Sequence, residues 1–162
     1  MARQNGYSLL QIILHWVIAL LIVAAWWTSD GMGRALRARI ESGRSGIEGN
    51  TLHVWFGGAV LALVLIRTSL RWMQGAPDTV AGTPPLLELA ARWGHRLLYL
   101  LMFLAPLAGA AVWYLGLRPA GDVHELTANA LMILALLHAA AALFHHFFLK
   151  DGTLMRMLRP AV

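Results

Sequence analysis

An all-α fold, an integral membrane four-helix bundle with both termini cytoplasmic, is what this sequence predicts. Three observations predict it. Of 162 residues, 59% are hydrophobic and 13% charged, about half the charged share of an average soluble chain. The charges are also segregated: the runs 9–27, 52–66, 97–117 and 126–149 contain no Asp, Glu, Lys or Arg. Three of the runs come near or exceed the roughly 20 residues that cross a bilayer as helix. The second reaches that length when Arg67 and Arg71 snorkel to the interface.

Ser8-Leu9-Leu10-Gln11 has the S-x-x-Q form of a capping box and opens the first helix, 9–28. Its apolar run is too long for the core of a signal peptide, and no small-x-small cleavage site follows Trp26-Trp27, so it is expected to stay as a helix. A polar, glycine-rich loop follows, in which Arg34 to Ile40 can form a short surface helix. Asn50 or Thr51 caps the second helix, 51–72, and a turn-rich stretch leads to the third, 86–117, which Pro106 should kink. Asp122-Val123-His124-Glu125 has the D-x-x-E form of a second capping box, so the fourth helix is expected over 123–149. The whole chain, 1–162, is expected to form a single transmembrane domain.

Lys and Arg counts set the orientation. Arg3, Arg67, Arg71, Arg92, Arg96, Lys150, Arg156 and Arg159 fall on the side of the termini, against Arg34, Arg37, Arg39, Arg44 and Arg118 on the other. The chain has no cysteine. That excludes disulfides, iron–sulfur clusters and covalent c-type haem, which needs C-x-x-C-H.

Histidines carry the chemistry. His124 and His138 are fourteen residues apart on one apolar segment, about 21 Å and close to four turns, so they share a face at two depths. Counting from the caps at about 1.5 Å per residue, His53 and His124 lie within about one turn of the outer edge. His15 and His138 both lie some 20 Å or more from that edge. The expected pairs are His53 with His124 outside and His15 with His138 inside. Four ionisable residues at matched membrane depths point to function, and two stacked haems b with bis-histidine ligation need this arrangement, the four histidines binding the two haem irons. Each proposed ligand has a small residue one turn on, Ala19, Gly57, Ala128 and Ala142, where a flat macrocycle needs room. His95 is the runner-up ligand; its neighbours Arg92, Trp93 and Arg96 place it at the cytoplasmic interface.

Arg67 lies fourteen residues after His53, returning to the same face at the inner level, with Arg71 one turn further. Both are candidates to pair with haem propionates, although positive-inside anchoring also accounts for them. His95, Arg96, His145 and His146 stand at one membrane boundary among aromatic side chains. A quinone head group needs hydrogen-bond donors there. Arg34, Arg37 and Arg39 cluster in the outer loop, where they could steer a small anion toward the outer haem edge or bind lipid phosphates. No separate catalytic residue stands out.

Several segments resemble the bacterial cytochrome b561 family: Ile13-Leu14-His15-Trp16, Leu52-His53-Val54, His124 to Asn129, Leu137 to His146, and the tail Lys150 to Met157. The chain is more distantly similar to the b-type cytochrome subunits of formate dehydrogenases and hydrogenases. The resemblance implies a four-helix bundle in the bacterial inner membrane with two haems b, exchanging electrons with ubiquinone. For stand-alone members it implies superoxide:ubiquinone oxidoreductase activity, with superoxide oxidised at the periplasmic face. Two alternatives stay open: a cytochrome b subunit passing electrons between quinone and a partner dehydrogenase or hydrogenase, and a non-redox membrane protein whose histidines bind a metal or serve structure.

Overall fold

The computed structural model describes residues 6–75, 77, 80 and 83–160; Arg3 of the orientation count lies outside them. Among the described residues the fold is all-helical: α1 (Leu9–Trp27), α2 (Met32–Glu41), α3 (Leu52–Gln74), α4 (Pro85–Leu115) and α5 (Pro119–Phe144). A π turn (His145–Leu149) and a short 3-10 turn (Leu154–Met157) follow. Four helices are long and apolar enough to cross a membrane, α5 together with its π turn counting as one. The outside of the bundle is apolar too: Leu20, Trp27 and Leu126 are 68%, 77% and 71% exposed. Helices that hydrogen-bond their own backbone and present such side chains outward suit lipid.

Local chemistry sets each boundary. Ser8 and Gln11 form the capping box of α1 reciprocally. Thr51 caps α3 through the Val54 N–H, which frees Asn50 for another task. α3 stops at Gly75 and α4 at Gly116, both at positive φ (81° and 67°), where a side chain would be strained. The fourth long helix differs from expectation at both ends, its α-helical part stopping at Phe144. α5 begins at Pro119, and Asp122 sits inside its first turn without a side-chain cap. Proline is pre-organised for the first helical position, and this overrides the D-x-x-E pattern.

α1 packs along α3 and α4 along α5; α3 and α4 join the two pairs, whereas α1 and α5 touch only briefly. Ile18, Val60 and Val64 form the buried centre, flanked by Leu21, Ile22, Leu63, Tyr99, Met102 and Phe103. The bundle therefore has one end carrying α2, here called outer, and one carrying the chain's tail, here called inner.

At the inner end the chain hooks back on itself. The helix widens into the π turn at His145, and Lys150 takes a left-handed conformation (φ 51°). Asp151 then bonds His145 Nδ1 and accepts from Thr153 N–H at 2.9 Å. Beyond it, Trp16 Nε1 donates to Met157 O at 2.9 Å, tying the tail to α1. Partial desolvation works to raise the Asp151 carboxyl, but the bonds from His145 and Thr153 prevail and hold it down to about 2, from an ordinary 3.8. A depressed carboxylate contributes its stability above its unfolded pKa and loses it as pH falls through the folded value. The hook should therefore stay closed at pH 4 and open only toward pH 2. Hydrogen exchange over 151–158 checks this: Asp151→Asn should exchange faster than the parent at pH 5, and equal exchange there would assign the hook to other contacts.

Candidate functional site

Four of the seven histidines meet in two pairs. His53, in the first turn of α3, faces His124, in the second turn of α5, with ring centroids 5.8 Å apart and planes at 85°. His15 on α1 faces His138 on α5 at 6.2 Å and 73°. Two imidazoles on opposite sides of one metal ion, each bonded at about 2 Å, place their centroids about 6 Å apart. Both pairs have that separation.

The outer pair is also oriented from behind. His53 Nδ1 lies 2.8 Å from Ala25 O at the end of α1, and His124 Nδ1 lies 2.8 Å from Ala105 O on α4. A carbonyl only accepts, so each Nδ1 carries the proton and each Nε2 keeps a free lone pair. This is the arrangement that orients metal-binding histidines. The Ala25 carbonyl is one of the last in α1 and also accepts from the Thr28 hydroxyl at 3.2 Å, so both bonds close that helix end.

The inner level holds a third ring. His95 lies 5.1 Å from His138, with planes at 76°, and its Nδ1 is 2.6 Å from Ala91 O, one turn back on its own helix. Its sequence neighbours suggested an interfacial place. Arg92, Trp93 and Arg96 do lie exposed, but His95 is half-buried, its ring against His138. Among the described residues no group of three ligating side chains converges on one point, so the inner rings do not form a compact three-ligand metal site.

Room for a macrocycle is visible at Gly57, one turn after His53: a Cβ there would meet nothing within 4 Å. Gly109 has a different task. A Cβ on it would stand 3.0 Å from both Cε1 and Nδ1 of His124, so only glycine lets that ring approach α4 and reach Ala105 O. The sequence reading missed Gly109. The small-xxx-small spacing Ala105 to Gly109, a mark of close helix approach in membranes, was the available signal. The residues present fit a haem b at each level: two facing imidazoles apiece, with open space beside the outer pair.

The arginines divide by place. Arg67 is buried, with Nη1 donating to the carbonyl of Gln11, the residue one turn before His15. Arg71 is half-buried, with Nη1 3.5 Å from the Tyr7 hydroxyl. At the outer end Arg34 and Arg37 are exposed on α2, but Arg39 is buried. Its guanidinium donates to the carbonyls of Trp113 (3.2 Å), Gly46 (2.7 Å) and Glu48, and lies 5.0 Å from the Trp113 ring centroid. Arg39 thus fastens α2 and its loop to α4 and does not present its charge to solvent as its two neighbours do. Asn50 completes this roof, accepting from Trp113 Nε1 at 2.8 Å and donating to the Tyr114 hydroxyl at 2.7 Å.

At the inner end His145 is held by Asp151, and His146 stands edge-on to Phe147 at 4.9 Å. Arg96 lies over its neighbour Trp93 at 4.9 Å, on the exposed face. Of these candidates for a quinone head group, His95 is nearest the inner pair, 5.1 Å from His138, whereas Arg96 is on the outside of the bundle.

Comparison with known proteins gives a consistent family. The family described as prokaryotic cytochrome b561 matches residues 6–160. A protein named cytochrome b562 from Cereibacter sphaeroides is 43% identical over 99% of both chains. One named probable superoxide oxidase CybB from Yersinia pestis is 32% identical, covering 94% of this chain and 95% of its own. Cytochrome b561 homolog 1 of Escherichia coli is 29% identical over 95% of this chain and 97% of its own.

Gly109→Val puts branched carbon where the His124 ring stands. The expected outcome is loss of the outer site: haem content, measured by the pyridine haemochrome, should fall by about half, with the protein still folded by circular dichroism. A variant retaining the parent content would show that the His124 position is not set by this contact.

Proposed function

The chain belongs to the prokaryotic cytochrome b561 family of membrane electron-transfer proteins, and on that premise we propose that it carries two haems b and moves electrons from superoxide to ubiquinone. One observation carries this reading: two pairs of facing imidazoles at metal-bridging separation on two levels of one bundle. His53 and His124 are the proposed axial ligands of the outer haem, His15 and His138 those of the inner. When bound, each haem supplies a one-electron redox centre. With two histidines to hold each haem, the electron donor would react at the edge of the site. The 32% identity to a probable superoxide oxidase supports superoxide as that donor. The bacterial inner membrane, with the tail in the cytoplasm and α2 facing the periplasm, is the proposed location.

The balance is simple. Two superoxide anions each give up one electron and become dioxygen; one ubiquinone takes two electrons and two protons and becomes the quinol. The chain's residues have three tasks in this. Arg34 and Arg37, exposed on α2, draw the anion toward the outer end, while Arg39 holds α2 in place. The carbonyl bonds behind His53 and His124 keep Nε2 of each available. At the inner end His95, Arg96, His145 and His146 are candidate donors to the quinone. Of these, His145 is fixed in place by Asp151 at its Nδ1.

Two measurements test the proposal. The parent should bind two haems per chain. His138→Ala should lose the inner haem and His124→Ala the outer, while His145→Ala should keep both; two haems in His138→Ala would refute the pairing. Stopped-flow reduction by superoxide should slow about tenfold as ionic strength rises, and slow further when Arg34 and Arg37 become Gln. Rates indifferent to salt and substitution would favour an uncharged quinol or a protein donor.

A further inference from the structure

Both histidine pairs fit the same group, yet their surroundings differ in charge. Beside the inner pair stands Arg67, buried within α3 and fixed by the bond from Nη1 to Gln11 O at the turn that leads to His15. Arg71 adds a second cation one turn further along, half-buried near Tyr7. At the outer end the buried arginine is Arg39, and it sits in the roof, its donors on three carbonyls and its face against Trp113 and Tyr114. Among the described residues the outer pair is held by neutral partners, His53 Nδ1 on Ala25 O and His124 Nδ1 on Ala105 O. The two redox levels of the bundle are therefore electrostatically unequal.

From this asymmetry we infer that Arg67 sets the direction of electron flow, making the inner site the higher-potential one by holding a permanent positive charge beside the His15–His138 pair. This inference rests on the two-haem reading above. The sign does not depend on whether Arg67 also meets a propionate. A free guanidinium favours the site carrying the extra electron. A guanidinium that neutralises a propionate removes a negative charge that would disfavour it. Either way Arg67 would draw one electron inward, from a group held by His53 and His124 to one held by His15 and His138. Arginine suits this role because it stays charged when buried. A single charge about 10 Å away, at an effective dielectric of about 20, changes an equilibrium constant about tenfold. Tenfold is about 59 mV for a one-electron couple.

Potentiometric titration of the purified haem-loaded protein tests it. The parent should titrate in two steps, with the higher-potential step surviving in His124→Ala. Arg67→Gln should lower that step by about 59 mV and leave the other in place. Arg67→Lys, which keeps the charge, should retain most of the gap. Arg39→Gln should move neither step as far. Should Arg67→Gln fail to load haem, Arg71→Gln must lower the same step by a smaller amount. Two haems with the higher step unmoved in Arg67→Gln, or unmoved in Arg71→Gln where the first variant does not load, would overturn the inference alone. A parent with one haem per chain would overturn the two-haem reading and this inference with it.

Discussion

A histidine inside an apolar bundle must satisfy two ring nitrogens that face opposite ways, and the placement of this fold's helices follows from how that is done. His53 on α3 reaches the end of α1, and His124 on α5 reaches the middle of α4. Each bond ties together the two helices of one packed pair. Each also aims the opposite nitrogen toward the seam between the pairs, where the second ring waits. The same contact is thus a helix–helix link, a helix cap at Ala25 and a ligand-orienting device. Burial of polar groups in a low-dielectric interior is costly unless they are bonded, and among the described residues no buried side-chain nitrogen or oxygen lacks a partner.

The two ends of the bundle solve different problems with the same residue type. Arg39 at the outer end and Arg67 at the inner are both buried arginines donating to backbone carbonyls. Arg39 joins a surface helix to α4 and builds the roof with Asn50, Trp113 and Tyr114. Arg67 joins the start of α1 to α3, beside Gln11, whose amide also donates to Gly75 O at 3.4 Å. One arginine fastens the outer roof; the other fastens the inner ends of two helices.

Much of this was legible in the sequence, and what was not depended on long-range contact. Charge-free runs locate the four long helices because the bilayer acts on length and hydropathy alone. The fourteen-residue spacing of His124 and His138 places them on one face because helix geometry is local. The Ser8–Gln11 box is present because both partners lie within one turn. The Asp122–Glu125 box is absent because Pro119, three residues earlier, is the stronger start signal. His95 joined the inner cluster, and Arg39 left the solvent, through packing between helices far apart in sequence. A residue's own neighbours carry no record of that. Gly109 belongs to the same class: its role is visible only with the His124 ring beside it.

The central claim is that the paired imidazoles hold two bis-histidine haems. The near-perpendicular planes of the pairs, 85° and 73°, make it directly testable. Perpendicular axial imidazoles give ferric haem a low-spin electron paramagnetic resonance spectrum of unusually high anisotropy, distinct from that of parallel rings. The expected result for the oxidised protein is two such low-spin signals of equal spin count per chain. A single signal, or a high-spin signal marking an open coordination site, would contradict the account.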